Sequence, residues 1–231
     1  MSGRRLCIAI DGPVSAGKST IARLVAGELG YAYVDSGAMY RALAWAAREE
    51  GVSPEDVAGV RSLLESIEIE LVPQSGGANR VRVNGREITE EIRAPEIGQL
   101  SSLLSEISGV RERMVALQRE MAREGGVVME GRDIQTVVMP EAEVKIFLTA
   151  PAEERARRRH LELRERGFEA ELQTVLAGIK KRDGRDSNRK HSPLRAAPEA
   201  VVVDSGGLGI EEVVARVLAV VREKRAAASG A

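Results

Sequence analysis

The stretch Gly12-Pro13-Val14-Ser15-Ala16-Gly17-Lys18-Ser19 fits the pattern G-x-x-x-x-G-K-[ST], and nothing else in the chain limits its fold so sharply. Gly12 and Gly17 allow a tight turn and a close approach of backbone to ligand. Successive N–H groups make a concave anion site, reinforced by the positive end of a helix that starts near Lys18. Lys18 is placed to reach β- and γ-phosphates, and Ser19 to offer its hydroxyl to Mg²⁺. The plain alternative is a glycine-rich turn without a ligand. Against it stand the apolar run 6–10 before the loop and the helical spacing of Ile21, Leu24, Val25 and Leu29 after it. The loop from Gly12 to Thr20 is therefore expected to bind the phosphates of a nucleoside triphosphate such as ATP. Lys18 is expected on an exposed part of it, so that removing its amine would cost activity and little fold.

The rest of the chain extends that strand-and-helix unit. Residues 31–34, 127–129, 144–148 and 201–203 read as short buried strands, and 18–29, 38–50 and 210–224 as helices. Pro54 is expected to start a short helix, and 95–123 to be helical with a break near Ser108-Gly109. An Arg-rich helix should follow Pro151, and a long helix is expected over 172–190. The end of the chain, 226–231, is expected to fray. Alternating strands and helices favour an α/β fold with a parallel sheet covered on both faces, and in such sheets ligands bind beyond the carboxyl ends of the strands. Between them, Ile67, Ile69, Leu71, Val81 and Val83 alternate with polar residues around Asn84-Gly85, a tight-turn signal. That pattern predicts a small antiparallel sheet inserted at about 66–100 of a single domain.

Composition narrows the function. Thirty-four basic against 35 acidic residues leave a net charge of -1, without the basic excess that nucleic-acid binding needs. No apolar run is long enough to span a bilayer, and the N-terminal run stops at Asp11. The lone Cys7 can form no intramolecular disulfide, and His160 and His191 lie in polar surroundings away from it, read as solvated side chains. A cytoplasmic monomer acting on small molecules, with no nucleic acid and no membrane, is the expectation.

Among phosphate-loop proteins a GTPase should carry N-K-x-D, and this chain does not; Asp204-Ser205-Gly206-Gly207 follows the last strand and reads as a turn. Arginines and short acidic motifs instead sit after the strands: Asp35-Ser36-Gly37 with Tyr40 and Arg41, then Gly131-Arg132-Asp133, then Arg155, Arg158 and Arg159. The segment 182–189 repeats Arg-Asp, and on a helix Arg182, Arg185, Asp186 and Arg189 share one face. Phosphoryl transfer needs fixed cations around the moving phosphate, and the planar guanidinium fork suits that task. Glutamates interspersed over 153–165 make most arginines of that helix readable as a solvated, ion-paired surface.

Taken together, these stretches resemble the bacterial cytidylate kinases, over nearly the whole chain. The resemblance runs through residues 8–13, the phosphate loop, Asp35-Ser36-Gly37-Ala38-Met39-Tyr40-Arg41, Glu91-Ile92-Arg93, Val110-Arg111-Glu112 and Gly131-Arg132-Asp133. It continues through 144–148, Glu153-Glu154-Arg155-Ala156, Arg182-Asp183, Arg185-Asp186 and Val203-Asp204-Ser205. It implies the nucleoside monophosphate kinase fold of the phosphate-loop proteins, with a three-stranded insert and a helical lid over about 153–170. It also implies transfer of the γ-phosphate of ATP, with Mg²⁺, to CMP or dCMP, giving ADP and CDP or dCDP in pyrimidine nucleotide metabolism. UMP or a non-nucleotide acceptor is the alternative substrate, and a regulatory protein that grips ATP without transfer the alternative class.

Residue by residue, the resemblance implies that Gly12 to Thr20 holds ATP and that Ser36, Tyr40 and Arg41 line the monophosphate site. Ser102, or Ser101 beside it, would read the cytosine together with Arg111 and Asp133. Arg132 would hold the acceptor phosphate, Arg182 and Asp186 the sugar, and Arg189 a phosphate. Lys18, Arg132, Arg158, Arg182 and Arg189 would form the catalytic charge set. Asp133 can accept from the cytosine amino group, whereas UMP presents a carbonyl there and would leave two acceptors facing each other. The acceptor oxygen is already ionised, so no strong general base is required.

Overall fold

The computed structural model describes residues 5–74 and 78–229. Its centre is a five-stranded parallel sheet in the order β2-β6-β1-β7-β8. The strands are β1 (Cys7–Asp11), β2 (Ala32–Asp35), β6 (Val127–Gly131), β7 (Val144–Thr149) and β8 (Val201–Asp204). β1 lies in the middle, with Asp11 in register with Gly131 of β6 and Phe147 of β7. Asp11, Asp35, Gly131, Thr149 and Asp204 thus end at one edge; Asp35 leads straight into a helix and the other four open into loops.

Alternation along the strands divides the core. Ile8, Ile10, Val128, Val144, Ile146 and Leu148 pack on one face with Ile21 and Val25 of α1 (Lys18–Leu29) and Val213, Val217 and Val221 of α8 (Ile210–Ser229). Ala9, Val34, Val127 and Met129 pack on the other with Val115 and Ala122 of α5 (Ser108–Ala122). A third cluster joins α2 (Ser36–Glu49), α3 (Val57–Ser66) and α4 (Pro95–Leu104) to a separate antiparallel sheet, β3 (Ile69–Val72), β4 (Arg80–Val83) and β5 (Arg86–Glu87). Asn84 and Gly85, with φ of 49° and 79°, form the two-residue turn between β4 and β5. Asn79 sits just before β4, and its side-chain amide donates to the Tyr33 carbonyl of the main sheet's edge strand at 2.8 Å.

α1 spans the residues its periodicity predicts, closed by Gly30 at φ 63°. Other ends differ, for local reasons. α3 begins at Val57 rather than Pro54, because the Asp56 carboxylate accepts the Gly59 N–H at 2.9 Å and caps the helix there. The break in 95–123 falls at 105–107, ahead of Ser108, where the Ser105 hydroxyl turns back onto the Ser102 carbonyl at 2.8 Å. The fraying expected over 226–231 is corrected for 226–229: α8 continues through the Ala-rich stretch to Ser229, as the helix propensity of alanine favours. Residues 230 and 231, the leading residues 1–4, and 75–77 inside the expected insertion lie outside the described residues. The two remaining helices are α6 (Ala152–Glu165), which carries the Arg-rich run, and α7 (Leu172–Asn188). A single π turn, Ile134–Val138, follows β6. Among the described residues no helix is long and apolar enough to cross a membrane.

Candidate active site

The loop between β1 and α1 has the backbone its glycines permit. Gly12 and Gly17 have φ of 156° and 94°, and Ser15 is left-handed at 59°. A Cβ on Gly12 would lie 1.9 Å from the Leu148 carbonyl oxygen, so packing against β7 alone demands glycine there. Val14, Ser15, Gly17, Lys18, Ser19 and Thr20 line a cavity of about 860 Å³ at the strand ends. Gly12, Pro13 and Ala16 belong to the same loop but do not line the cavity. The Pro13 carbonyl accepts the Lys18 ammonium at 2.8 Å, and the Ala16 carbonyl accepts the Ser205 hydroxyl at 3.1 Å.

Lys18 is buried, not exposed as the loop's polar sequence suggests. It faces inward because α1 starts at this residue and turns its side chain under the loop. Burial, and next the nearby Arg132 guanidinium, pull its ammonium down to about 7. Burial likewise pushes the Asp11 carboxyl up to about 7, against the pull of two N–H donors.

The opposite wall is drawn from distant segments. Asp35 caps α2 by accepting the Ala38 N–H at 2.8 Å and pairs with Arg41 at 2.9 Å. Ser36 donates to the Glu130 carbonyl at 2.6 Å. Arg111 from α5 and Asp133, two residues past β6, form a close buried ion pair, and the Arg111 guanidinium stands 5.8 Å from the centre of the Tyr40 ring. Burial pushes the Tyr40 phenol up to about 12. Arg132 Nε meets Asp186 Oδ2 at 2.8 Å, and Arg189 reaches Asp186 Oδ1 at 3.7 Å. Burial opposes ionisation of Asp186, but Arg132, Arg189 and Arg182 hold it below the usual carboxylate range. Burial, with Arg132 close by, lowers Arg182 to about 10.

All of Ser36, Tyr40, Arg41, Ser101, Ser102, Arg111, Arg132, Asp133, Arg158, Arg182, Asp186 and Arg189 border this one cavity. Three expectations change. The shared helical face of 182–189 does not extend to Arg189, which lies past the end of α7 with ψ 138°, and Arg185 turns away to Ser102 Oγ at 3.0 Å and Glu106 at 3.4 Å. Arg155 is neither solvated nor in the cavity: it is buried, bonding the Ala150 carbonyl, the Val14 carbonyl and Asp183 at 2.8, 3.2 and 2.7 Å. His160 is half-buried on α6 rather than solvated, because the helix turns that side of it inward. Arg158 borders the cavity while donating to the hydroxyl and carbonyl of Ser205, at 3.0 and 2.7 Å.

Eleven basic and five acidic side chains line the cavity, in a chain whose net charge is -1. Polar atoms of Tyr40, Arg111, Arg182 and Arg189 are buried there without a hydrogen-bond partner. Buried polar atoms are ordinarily satisfied, so such a cluster marks a surface shaped for a polyanionic ligand.

Sequence reasoning missed Glu130, Tyr33, Ser105 and Arg93 as cavity residues. Glu130 is buried at the end of β6, its Oε1 2.5 Å from the Ser19 hydroxyl and 3.3 Å from that of Tyr33. Burial, then the nearby Asp35, raise its carboxyl. The signal was an acidic residue closing an otherwise apolar strand, just before Gly131. Ser105 offered none, since a serine at a helix end is commonplace.

A sequence model of the family described as cytidylate kinase matches residues 8–223. A protein of Geobacter sulfurreducens named cytidylate kinase is 50% identical over 231 residues, covering 100% of this chain and 99% of that one. One of Geobacillus thermodenitrificans with the same name is 51% identical over 221 residues, 96% of this chain and 98% of that one. Among solved structures, an uncharacterized protein of Eubacterium ventriosum shares the fold with a TM-score of 0.52, at 11% identity over 95% of this chain and 99% of its own.

Proposed function

We infer the function from one premise: the chain belongs to the cytidylate kinase family. It is a phosphotransferase that moves the γ-phosphoryl group of ATP to CMP or dCMP, in pyrimidine nucleotide metabolism. The observation that carries this reading is a single cavity in which the phosphate loop faces a second set of buried donors, on Tyr40, Arg111, Arg182 and Arg189, that lack a hydrogen-bond partner. One nucleotide needs one such wall; two walls need two.

On this reading residues 12–20 cradle the ATP phosphates, with Lys18 at the transferring group. Arg41 and Arg132 grip the acceptor phosphate, Asp186 accepts from the sugar, and Arg182 and Arg189 spread charge across the phosphates. Ser102, Arg111 and Asp133 read the base. Asp133, paired with Arg111, accepts the cytosine amino group and meets the UMP carbonyl as a second acceptor. The attacking oxygen is an already ionised phosphate oxygen, and the proton inventory does not change in the step. The bond from the γ-phosphorus to its bridging oxygen breaks toward ADP as the bond to the CMP oxygen forms. Catalysis is then alignment and fixed positive charge.

The residues fit Mg²⁺. The Ser19 hydroxyl and Glu130 carboxylate are hard oxygen donors beside the loop. No group of three His, Cys, Asp or Glu that could hold a metal occurs among the described residues. That suits an ion held by one or two side chains and the substrate's phosphates. When bound it supplies charge neutralisation at the β- and γ-phosphates. Segment 153–170 serves as a lid that excludes water, and 66–100 as the arm beside the acceptor. The working protein is a cytoplasmic monomer.

ADP release measured with CMP, dCMP, UMP, AMP and shikimate tests the reading. CMP and dCMP should be the preferred acceptors. Preference for another acceptor, or ATP binding without any transfer, overturns it.

A further inference from the structure

We propose that Asp11 and Gln135 are a pair of buried positioning residues that hold the acceptor wall of the cavity at a fixed distance from the phosphate loop. The inference rests on the two-nucleotide reading above. Neither residue borders the cavity, and both are buried, Asp11 at 0% and Gln135 at 1% exposure.

Asp11 is the last residue of β1 and is joined directly to Gly12. Its two carboxylate oxygens accept from two consecutive backbone N–H groups, Ile134 to Oδ1 at 3.0 Å and Gln135 to Oδ2 at 2.8 Å. Those N–H groups open the π turn that immediately follows Arg132 and Asp133, and single π turns are frequent at functional sites. A π turn leaves its first N–H groups without helical partners, and here a side chain 123 positions earlier supplies both. One carboxylate therefore fixes where Arg132 and Asp133 begin relative to Gly12.

Gln135 passes the constraint on. Its Nε2 donates to the Ile146 carbonyl of β7 at 3.3 Å, and its Oε1 accepts the Ala197 N–H at 3.0 Å. Ala197 belongs to the segment after α7, and that segment closes on the helix again where the Leu194 N–H meets the Asp186 carbonyl at 2.8 Å. The loop carrying Arg132 and Asp133 and the segment beginning at Arg189 are both referenced to the phosphate loop through two side chains. Reacting groups misplaced by about 1 Å lose roughly 100-fold in rate, so such referencing acts on transfer without touching substrate.

The test uses Asp11→Asn and, as a second variant, Gln135→Glu. Asparagine keeps the shape but points an amide N–H at a backbone N–H; glutamate keeps the Ala197 acceptor and loses the Ile146 donor. For Asp11→Asn, kcat/KM for CMP should fall about 100-fold while the Kd for ATP moves less than about threefold. Gln135→Glu should show the same split at smaller size. Amide hydrogen exchange should accelerate over 131–138 and 189–197 while 12–20 stays protected. Parallel loss of ATP and CMP binding, or unchanged exchange over 131–138, overturns the positioning role. A wild-type protein that makes no CDP overturns the reading of function instead, and the exchange measurement still decides the role of Asp11 and Gln135.

Discussion

The two walls of the cavity are built by opposite means. The donor wall is one contiguous loop, shaped by its own backbone angles and joined at both ends to regular elements. The acceptor wall collects side chains from α2, α4, α5, the end of β6 and α7, and holds them with ion pairs: Arg111 to Asp133, Arg132 to Asp186, and Arg189 to Asp186. A backbone loop offers the same N–H array to any triphosphate. Paired side chains can tell one base and one sugar from another, because each mismatch leaves a buried group unpaired. Affinity for phosphate is therefore local, while selectivity is distributed.

The largest effect should come from the one side chain the donor wall depends on. Lys18→Met is expected to lower kcat by about 10²–10³, the scale for losing one preorganised charge at a transition state. Because Lys18 is buried and its ammonium is disfavoured there, the thermal midpoint should stay level or rise. A calorimetric scan beside the coupled ADP assay separates these, and lost activity with a large drop in midpoint would contradict the assignment.

The acceptor wall should break differently. Asp133→Ala is expected to reduce kcat/KM for CMP by roughly 5–150-fold, about 1–3 kcal/mol, and to leave ATP binding intact. It also strands the buried Arg111 charge, so the fold should lose about 3–5 kcal/mol in denaturant titration. Selectivity for CMP over UMP unchanged in this variant would remove Asp133 from base recognition.

A pH experiment sharpens the donor side. Lys18 titrates near 7 in the free protein, and the triphosphate's negative charge should raise it again on binding. ATP binding then takes up a proton, and affinity should weaken as pH rises above 7, by at most about tenfold per pH unit. Binding enthalpies at about pH 8 in two buffers of different ionisation heat read that uptake directly. The smallest effect concerns the inserted sheet. Asn79→Ala removes the hydrogen bond to the Tyr33 carbonyl and should cost about 1 kcal/mol of stability, with kcat for CMP nearly unchanged.

How much of this was legible depended on sequence distance. α1, the Asn84-Gly85 turn and the strand cores follow from periodicity and turn chemistry within a dozen residues, and the phosphate loop follows from eight. The members of the acceptor wall were nameable through family resemblance. Their pairings were not, since Arg111 and Asp133 are 22 positions apart and Arg132 and Asp186 are 54 apart. Arg155 reads as one more surface arginine until α7 brings Asp183 against it. The π turn has no periodic signature at all, because its first N–H groups are met by Asp11 of the neighbouring strand, 123 positions earlier in the chain.

The amino-acid sequence by itself determined the donor loop, the α/β alternation with its inserted sheet, and the inventory of charges. Those rest on backbone stereochemistry and hydrophobic period, which act between near neighbours. Only the tertiary structure decided that Lys18 is buried, that Glu130 stands beside Ser19, and which guanidinium answers which carboxylate. Burial and Coulomb interaction depend on distance in space, and the parallel sheet brings the ends of strands far apart in the chain to a single edge.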